Sequence, residues 1–152
     1  MSVVTASVHL DAPPAIVWEV VMDPARLGEW VTIHRRLRSA DEGAPRVGYQ
    51  MVQQLYLRGV SIDVHWRLVG LTPLQQVVWE GRGPARSRAR TEYTLTREGE
   101  AATRFDYRNE FHVPLGPIGA LASRAIVGGM PEREASLTLK RLKDLVERVP
   151  AR

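Results

Sequence analysis

Cysteine is absent from the 152 residues of this chain, and phenylalanine occurs only 2 times. The absence of cysteine excludes disulfides, cysteine nucleophiles and thiolate metal sites. No apolar run approaches the roughly 20 residues that span a bilayer, and the first residues show no charged-then-apolar secretion signal. We therefore expect a cytoplasmic protein with no membrane span. A chain of this length predicts one domain over residues 1–152.

Lysine is also rare, since Lys140 and Lys143 are the only lysines among 21 basic residues. The formal charge of +4 and the pI of about 10.0 are compatible with anion recognition, because arginine binds phosphate bidentately. The arginines are spread among Asp and Glu rather than among exposed aromatic residues, which does not favour a nucleic-acid partner. Arg86, Arg88 and Arg90 recur at a period of two. They predict either a solvated outer strand face or a docking surface for an acidic partner or RNA.

Several kinds of catalytic motif are missing as well. The four histidines are not spaced as zinc ligands, and the sequence has no nucleophile elbow, P-loop or dinucleotide fingerprint. The carboxylates of the predicted strands fall on the outward side, so a carboxylate pair is not expected. We predict no metal and no cofactor. His34 follows a short helix and is either a surface residue or one that reaches the mouth of a cavity.

What the chain does contain is a series of short periodic segments. Val3–Leu10 alternates as a half-buried strand, and Asp11 is predicted to cap a helix that begins after Pro13-Pro14 and ends at Asp23-Pro24. A second short helix is predicted over Ala25–Val31. Six further strands are predicted at Ile33–Ala40, Gly48–Leu57, Ser61–Leu71, Gln75–Gly81, Ser87–Arg97 and Thr103–Val113.

The end of the chain is predicted to be helical with an interruption. One candidate segment covers Ile118–Val127, and a longer helix runs from Pro131 to about Arg148. Its apolar positions recur every three or four residues. Gly128-Gly129-Met130 separates the two segments, because glycine weakens a helix interior. This break predicts either a structural kink or a hinge over a pocket.

The order of these elements resembles the START-like (SRPBCC) superfamily. The resemblance rests on Asp11-Ala12-Pro13 with Val17-Trp18, on Leu27 with Trp30, and on Leu139–Leu142 followed by Lys143. This superfamily includes polyketide cyclase/dehydrase-like proteins, lipid-transfer domains and plant allergen-type carriers. The resemblance implies an α+β helix-grip fold. Its seven-stranded curved antiparallel sheet wraps around a long C-terminal helix, with two short helices between strands 1 and 2.

Strand alternation predicts which side chains point inward, where the sheet and the helix would enclose an apolar cavity with a few polar groups. Trp66 is predicted to be buried, whereas Arg67 on the same strand is predicted to face water. The predicted ligand-binding residues are Tyr49, Met51, Gln53, Trp66, Trp79, Thr91, Tyr93, Phe105, Tyr107, Asn109, Phe111 and Met130.

These patterns predict a protein that binds a hydrophobic or aromatic small molecule, lipid- or polyketide-like, as a monomer or weak dimer. One alternative is a polyketide cyclase/dehydrase-type enzyme, for which Tyr107 and Asn109 are the catalytic candidates because they could present a hydroxyl and an amide to a ligand carbonyl. Tyrosine is a poor base at its ordinary pKa. A third alternative is an interaction module that uses the basic outer face of the sheet.

Overall fold

Short connections containing glycine or proline separate the strands, so each strand folds back antiparallel to the one before it. The computed structural model describes residues 2–57, 59–112 and 131–148. The strands are β1 (Ser2–Leu10), β2 (His34–Ala40), β3 (Gln50–Leu57), β4 (Val60–Thr72), β5 (Gln76–Arg82), β6 (Arg88–Arg97) and β7 (Thr103–His112). The helices are α1 (Pro14–Val21), α2 (Leu27–Trp30) and α3 (Pro131–Glu147).

The strands form one antiparallel sheet in the order β1-β7-β6-β5-β4-β3-β2. Each strand from β2 to β7 pairs with its neighbour in sequence, and β1 closes the order by pairing with β7. The predicted seven-stranded antiparallel sheet is thereby confirmed. Its register places Thr91 of β6 directly opposite Asn109 of β7, and Tyr93 opposite Tyr107.

The C-terminal helix packs against β1 and α2. Its buried stripe is formed by Ala135, Leu139, Leu142 and Val146, at spacings of three and four residues. The core beneath it contains residues from the sheet and from the short helices, including the fully buried Trp30. This arrangement confirms the predicted helix-grip architecture.

The beginnings of the short helices differ from the prediction. Asp11 does not cap α1, because the residue before the helix is Pro13 and no side chain caps it. The Asp11 carboxylate instead accepts a hydrogen bond from His9 Nε2 at 3.0 Å, and its backbone N–H donates to Glu147 at 2.8 Å. The second predicted helix is a 3-10 turn, Pro24–Arg26, followed by α2, and the Asp23 carboxylate caps the turn.

Arg86 lies outside the predicted arginine stripe. It belongs to a 3-10 turn, Pro84–Arg86, that precedes β6. Its positive φ of 61° removes it from the strand alternation of β6, in which Arg88 and Arg90 are exposed. The predicted segment Ile118–Val127 and the Gly128-Gly129-Met130 break lie outside the described residues.

The predicted inward side of β4 is correct for Ile62, Val64 and Leu68, which are buried, while Arg67 is exposed. Trp66 also turns inward but is only half-buried. The reason lies in its surroundings, because the Trp66 ring borders a cavity rather than filling the core.

Candidate functional site

A cavity of about 130 Å³ lies between the concave face of the sheet, α2 and the first turns of α3. Its wall is mostly apolar and aromatic. The predicted site residues that border it are Met51, Gln53, Trp66, Trp79, Thr91, Tyr93, Tyr107, Asn109 and Phe111. Tyr49 and Phe105 are buried but are not part of the wall, and Met130 lies outside the described residues.

Tyr49 and Phe105 pack against aromatic residues of the wall. The Tyr49 ring meets the Trp79 ring edge-to-face at a centroid distance of 6.1 Å. The Phe105 ring lies 6.3 Å from Trp30 and 5.4 Å from Tyr93. These contacts order the aromatic wall residues, since edge-to-face pairs stabilise beyond the area that they bury.

Three polar atoms of the wall residues are not satisfied. Trp30 Nε1, Thr91 Oγ1 and Asn109 Oδ1 are buried and have no hydrogen-bond partner among residues 2–57, 59–112 and 131–148. All three residues border the cavity. A buried polar group without a partner costs about 1–3 kcal/mol, so such groups usually mark a site that something else completes.

Two tyrosines of the same wall keep their protons. Burial raises the pKa of Tyr107 to about 12, although the hydrogen bond from Asn109 opposes this shift. Burial also raises the pKa of Tyr93, and the neighbouring Tyr107 adds to the effect. Neither phenol is therefore a general base near neutral pH, and both are hydrogen-bond donors.

A chain of hydrogen bonds runs along another part of the wall. Trp66 Nε1 donates to Gln53 Oε1 at 2.9 Å, and Gln53 Nε2 lies 2.9 Å from His34 Nδ1. Because indole can only donate, it orients the Gln53 amide, whose nitrogen then donates to an unprotonated His34 Nδ1. Burial lowers the pKa of His34, in keeping with this neutral state. His34 thus positions Gln53 and is not itself a wall residue.

Strand alternation did not predict several residues of the wall, among them Trp30, Arg88 and Glu134. Arg88 is exposed at the first position of β6, on the side that alternation assigns to water. Trp30 and Glu134 are on helices, to which a strand argument does not apply. Glu134 accepts a hydrogen bond from the Thr32 hydroxyl, which ties α3 to the segment after α2. A signal for Glu134 was present in its spacing from Thr138, one turn further along the same helix face.

The architecture and the hollow between sheet and helix can be compared with known proteins. Residues 1–147 match the family described as polyketide cyclase / dehydrase and lipid transport. The chain belongs to this family. Membership implies a hydrophobic ligand-binding pocket, and the cavity with its aromatic wall occupies the corresponding place between sheet and α3.

Two proteins of Mycobacterium tuberculosis are similar to this chain in sequence. An uncharacterized protein, Rv1546, is 29% identical over 133 residues, which are 84% of this chain and 90% of that protein. A protein named Toxin Rv0910 is 24% identical over 127 residues, which are 83% of this chain and 88% of that protein.

Solved structures share the fold at low sequence identity. The ZhuI aromatase/cyclase from Streptomyces sp. R1128 superposes with a TM-score of 0.81 at 16% identity, covering 97% of this chain and 94% of that one. A START superfamily protein from Mycobacterium smegmatis gives a TM-score of 0.74 at 15% identity, with 97% and 98% covered. At identities of 15% and 16%, the likeness to these structures shows a shared fold and no more.

Other types of site are not apparent in the part of the chain that the structure describes. Within it, no helix is long and apolar enough to cross a membrane, and no cluster of three or more His, Asp or Glu side chains could hold a metal ion. On the outer face of the sheet, Arg90 pairs with Glu80 at 3.4 Å and with Glu92 at 3.2 Å. The predicted basic face is therefore partly neutralised by its own strand neighbours.

Proposed function

We propose that this protein binds a small hydrophobic molecule, about the size of one ring, in the cavity between the sheet and α3. The observation that carries the proposal is an apolar, aromatic cavity of about 130 Å³ bordered by buried polar atoms without partners. Apolar walls with a few convergent polar groups are typical of small-molecule sites. Family membership supports the same conclusion, because it implies a hydrophobic pocket.

The volume sets the size of the ligand. An engineered apolar cavity of about 150 Å³ in another protein binds benzene, so the 130 Å³ here matches a single ring. Leaving such a volume empty costs about 3 kcal/mol at about 24 cal/mol per Å³. This cost is a large part of the roughly 5–15 kcal/mol by which domains are stable, so an occupant stabilises the fold.

The experiment reduces the volume of the cavity by placing a larger side chain in its wall. Ala89 borders the cavity on β6, and Ala89→Leu adds three carbons to it. Toluene binding is measured by calorimetry and by the fluorescence of the wall tryptophans Trp30, Trp66 and Trp79. We expect the parent to bind and Ala89→Leu to lose most of its affinity. Ala101→Leu, at an exposed position between β6 and β7, is the matched control and should bind like the parent.

Equal toluene affinity in the Ala89→Leu variant and the parent would place the binding site elsewhere. No binding to the parent would exclude a ring-sized ligand. Circular dichroism of both leucine variants shows whether the fold is intact, so that a loss of binding is assigned to the cavity and not to unfolding.

A second candidate function is catalysis of the cyclase/dehydrase type, and the observation that favours it is the Glu134 carboxylate in the cavity wall. A carboxylate can act as a base where the tyrosines, with their raised pKa values, cannot. The test is turnover of a poly-β-keto precursor by the parent and by Glu134→Gln. Turnover by the parent that falls about 100-fold or more in the variant supports an enzyme. Binding without turnover supports a carrier.

A further inference from the structure

The amide of Asn109 determines which hydrogen-bonding group the cavity can accept. Asn109 Nδ2 donates to the Tyr107 hydroxyl oxygen at 2.9 Å. Its Oδ1 has no partner among the described residues, and only 7% of the residue is exposed. The amide oxygen is therefore an unpaired acceptor. A ligand group that completes Asn109 has to be a donor.

The other two unpaired atoms of the wall add the opposite requirement. Thr91 faces Asn109 across the β6–β7 pair, which places their Cβ atoms about 5 Å apart. Trp30 Nε1 is a donor only, whereas the Thr91 hydroxyl both donates and accepts. Both atoms are buried without a partner among the described residues. A ligand that satisfies the indole as well as the amide needs an acceptor in addition to a donor.

Few simple groups meet both requirements. A ketone or an ether only accepts and leaves Asn109 Oδ1 unpaired, while an ammonium only donates and leaves Trp30 Nε1 unpaired. A carboxylate also only accepts and leaves Asn109 Oδ1 unpaired. A hydroxyl group donates and accepts through one oxygen, and one oxygen fits between two side chains on paired strands.

We infer that the ligand of this cavity is an uncharged ring-sized molecule that carries a hydroxyl group, an alcohol or a phenol. The hydroxyl donates to Asn109 Oδ1 and accepts from the Thr91 and Trp30 donors. This inference rests on the proposed function, and it replaces the ligand carbonyl that the sequence predicts for Tyr107 and Asn109. The change follows from Asn109 Oδ1, an acceptor without a partner among the described residues, which a ligand carbonyl cannot satisfy.

The test compares three rings of nearly equal size: cyclohexanol, cyclohexanone and cyclohexane. Dissociation constants are measured by calorimetry or by chemical-shift titration. We expect the parent protein to bind cyclohexanol about tenfold more tightly than cyclohexanone, since the ketone leaves a buried acceptor unpaired. Cyclohexane reports whether the cavity accepts a ring irrespective of its polar group.

Two variants remove the polar partners at nearly constant shape. In Asn109→Leu the preference for the alcohol over the ketone should fall below about threefold, while the affinity for cyclohexane is unchanged or increased. In Thr91→Val the alcohol and the ketone lose the same donor, so both should bind more weakly and the preference should remain. Thr94→Val is the matched control on β6, because Thr94 bonds Gln76 at 3.4 Å on the other face of the sheet. It should keep the parent's preference.

Negative results would show whether the hydroxyl inference or the proposed function is wrong. If cyclohexanone binds the parent as tightly as cyclohexanol, or if the preference survives in Asn109→Leu, the hydroxyl inference is wrong although the cavity still binds rings. If none of the three rings binds and toluene does not bind, the proposed function itself is wrong. Should Asn109→Leu fail to fold, the comparison of cyclohexanol with cyclohexanone in the parent still decides the question, because equal affinities refute the inference.

Discussion

Because side chains of β4 lie close to Gly81 of β5, we predict that Gly81→Ala destabilises the protein by displacing residues of the cavity wall. A Cβ atom on Gly81 would lie 2.7 Å from Cε3 and Cζ3 of Trp66 and 2.8 Å from Cγ1 of Val64. Carbon atoms pack at about 3.5–4.0 Å, so the methyl group cannot enter unless these side chains move. Trp66 lies directly opposite Gly81 in the β4–β5 register, which leaves its ring no route past the new atom.

The expected cost follows from three contributions. Overpacking of this kind costs about 1–3 kcal/mol. A displaced Trp66 also loses its hydrogen bond to Gln53 Oε1, at 2.9 Å, which adds about 1 kcal/mol. Replacing glycine with alanine in a strand returns about 0.5–1 kcal/mol of backbone entropy. The free energy of unfolding should therefore fall by about 1–3 kcal/mol.

Urea denaturation followed by tryptophan fluorescence measures this loss. Gly70→Ala is the matched control, because Gly70 lies in β4 and a Cβ there would meet Val78 at an ordinary 3.4 Å. Its free energy of unfolding should change by less than about 1 kcal/mol. In a Trp66→Leu background, Gly81→Ala should cost less than in the parent, since the obstructing ring is gone.

A Gly81→Ala variant that is as stable as the parent would refute this reasoning. The same holds if the variant is destabilised equally in the parent and in the Trp66→Leu background. In either case Gly81 would not be required by the Trp66 ring, and the position of that ring in the cavity wall would have to be revised.

The remaining predictions concern pH, burial and a buried hydroxyl. The lowered pKa of His34 means that the unfolded chain binds more protons, so stability should fall as pH falls from about 6.5, the ordinary value, through the lower folded pKa. His34→Gln keeps a hydrogen-bond acceptor and should remove this part of the pH dependence of stability. If stability depends on pH in the variant as it does in the parent, the prediction is wrong. Trp66→Ala should cost about 3 kcal/mol and Arg67→Ala less than about 0.5 kcal/mol in urea denaturation, and equal losses would mean a wrong register on β4. The fully buried Thr103 hydroxyl donates to a backbone carbonyl at 2.8 Å. Thr103→Val should lower the free energy of unfolding by about 1–2 kcal/mol, and the exposed control Thr96→Val should lower it by less.

Most of the fold could be predicted from local patterns. The strand predicted at Ile33–Ala40 is observed at His34–Ala40, and the one predicted at Ser87–Arg97 is observed at Arg88–Arg97. The long helix predicted to begin at Pro131 does so. These features are set by nearest neighbours, because alternation and helical spacing follow from backbone geometry and turns follow from glycine and proline.

The candidate site could be predicted only in part. Strand alternation correctly placed Thr91, Tyr107 and Asn109 on the inner face, where they border the cavity. It also placed Phe105 there, yet this ring lies in the solid core. The face of a residue is a local property, but its distance from the opposing helix is not. That distance depends on where the sheet and α3 diverge.

The sequence by itself thus determined the family, the order of the strands along the chain and the side of the sheet on which each residue lies. Only the tertiary structure decided that Glu134 of α3 borders the same cavity as the strands. It alone showed that the Asn109 amide bonds Tyr107 and that its oxygen has no partner among the described residues. The physical reason is that the first result depends on contacts between residues distant in the chain, and the second on which polar atoms the packing leaves buried. Such contacts are selected by packing and hydrogen-bond satisfaction in the folded molecule, which no local pattern encodes.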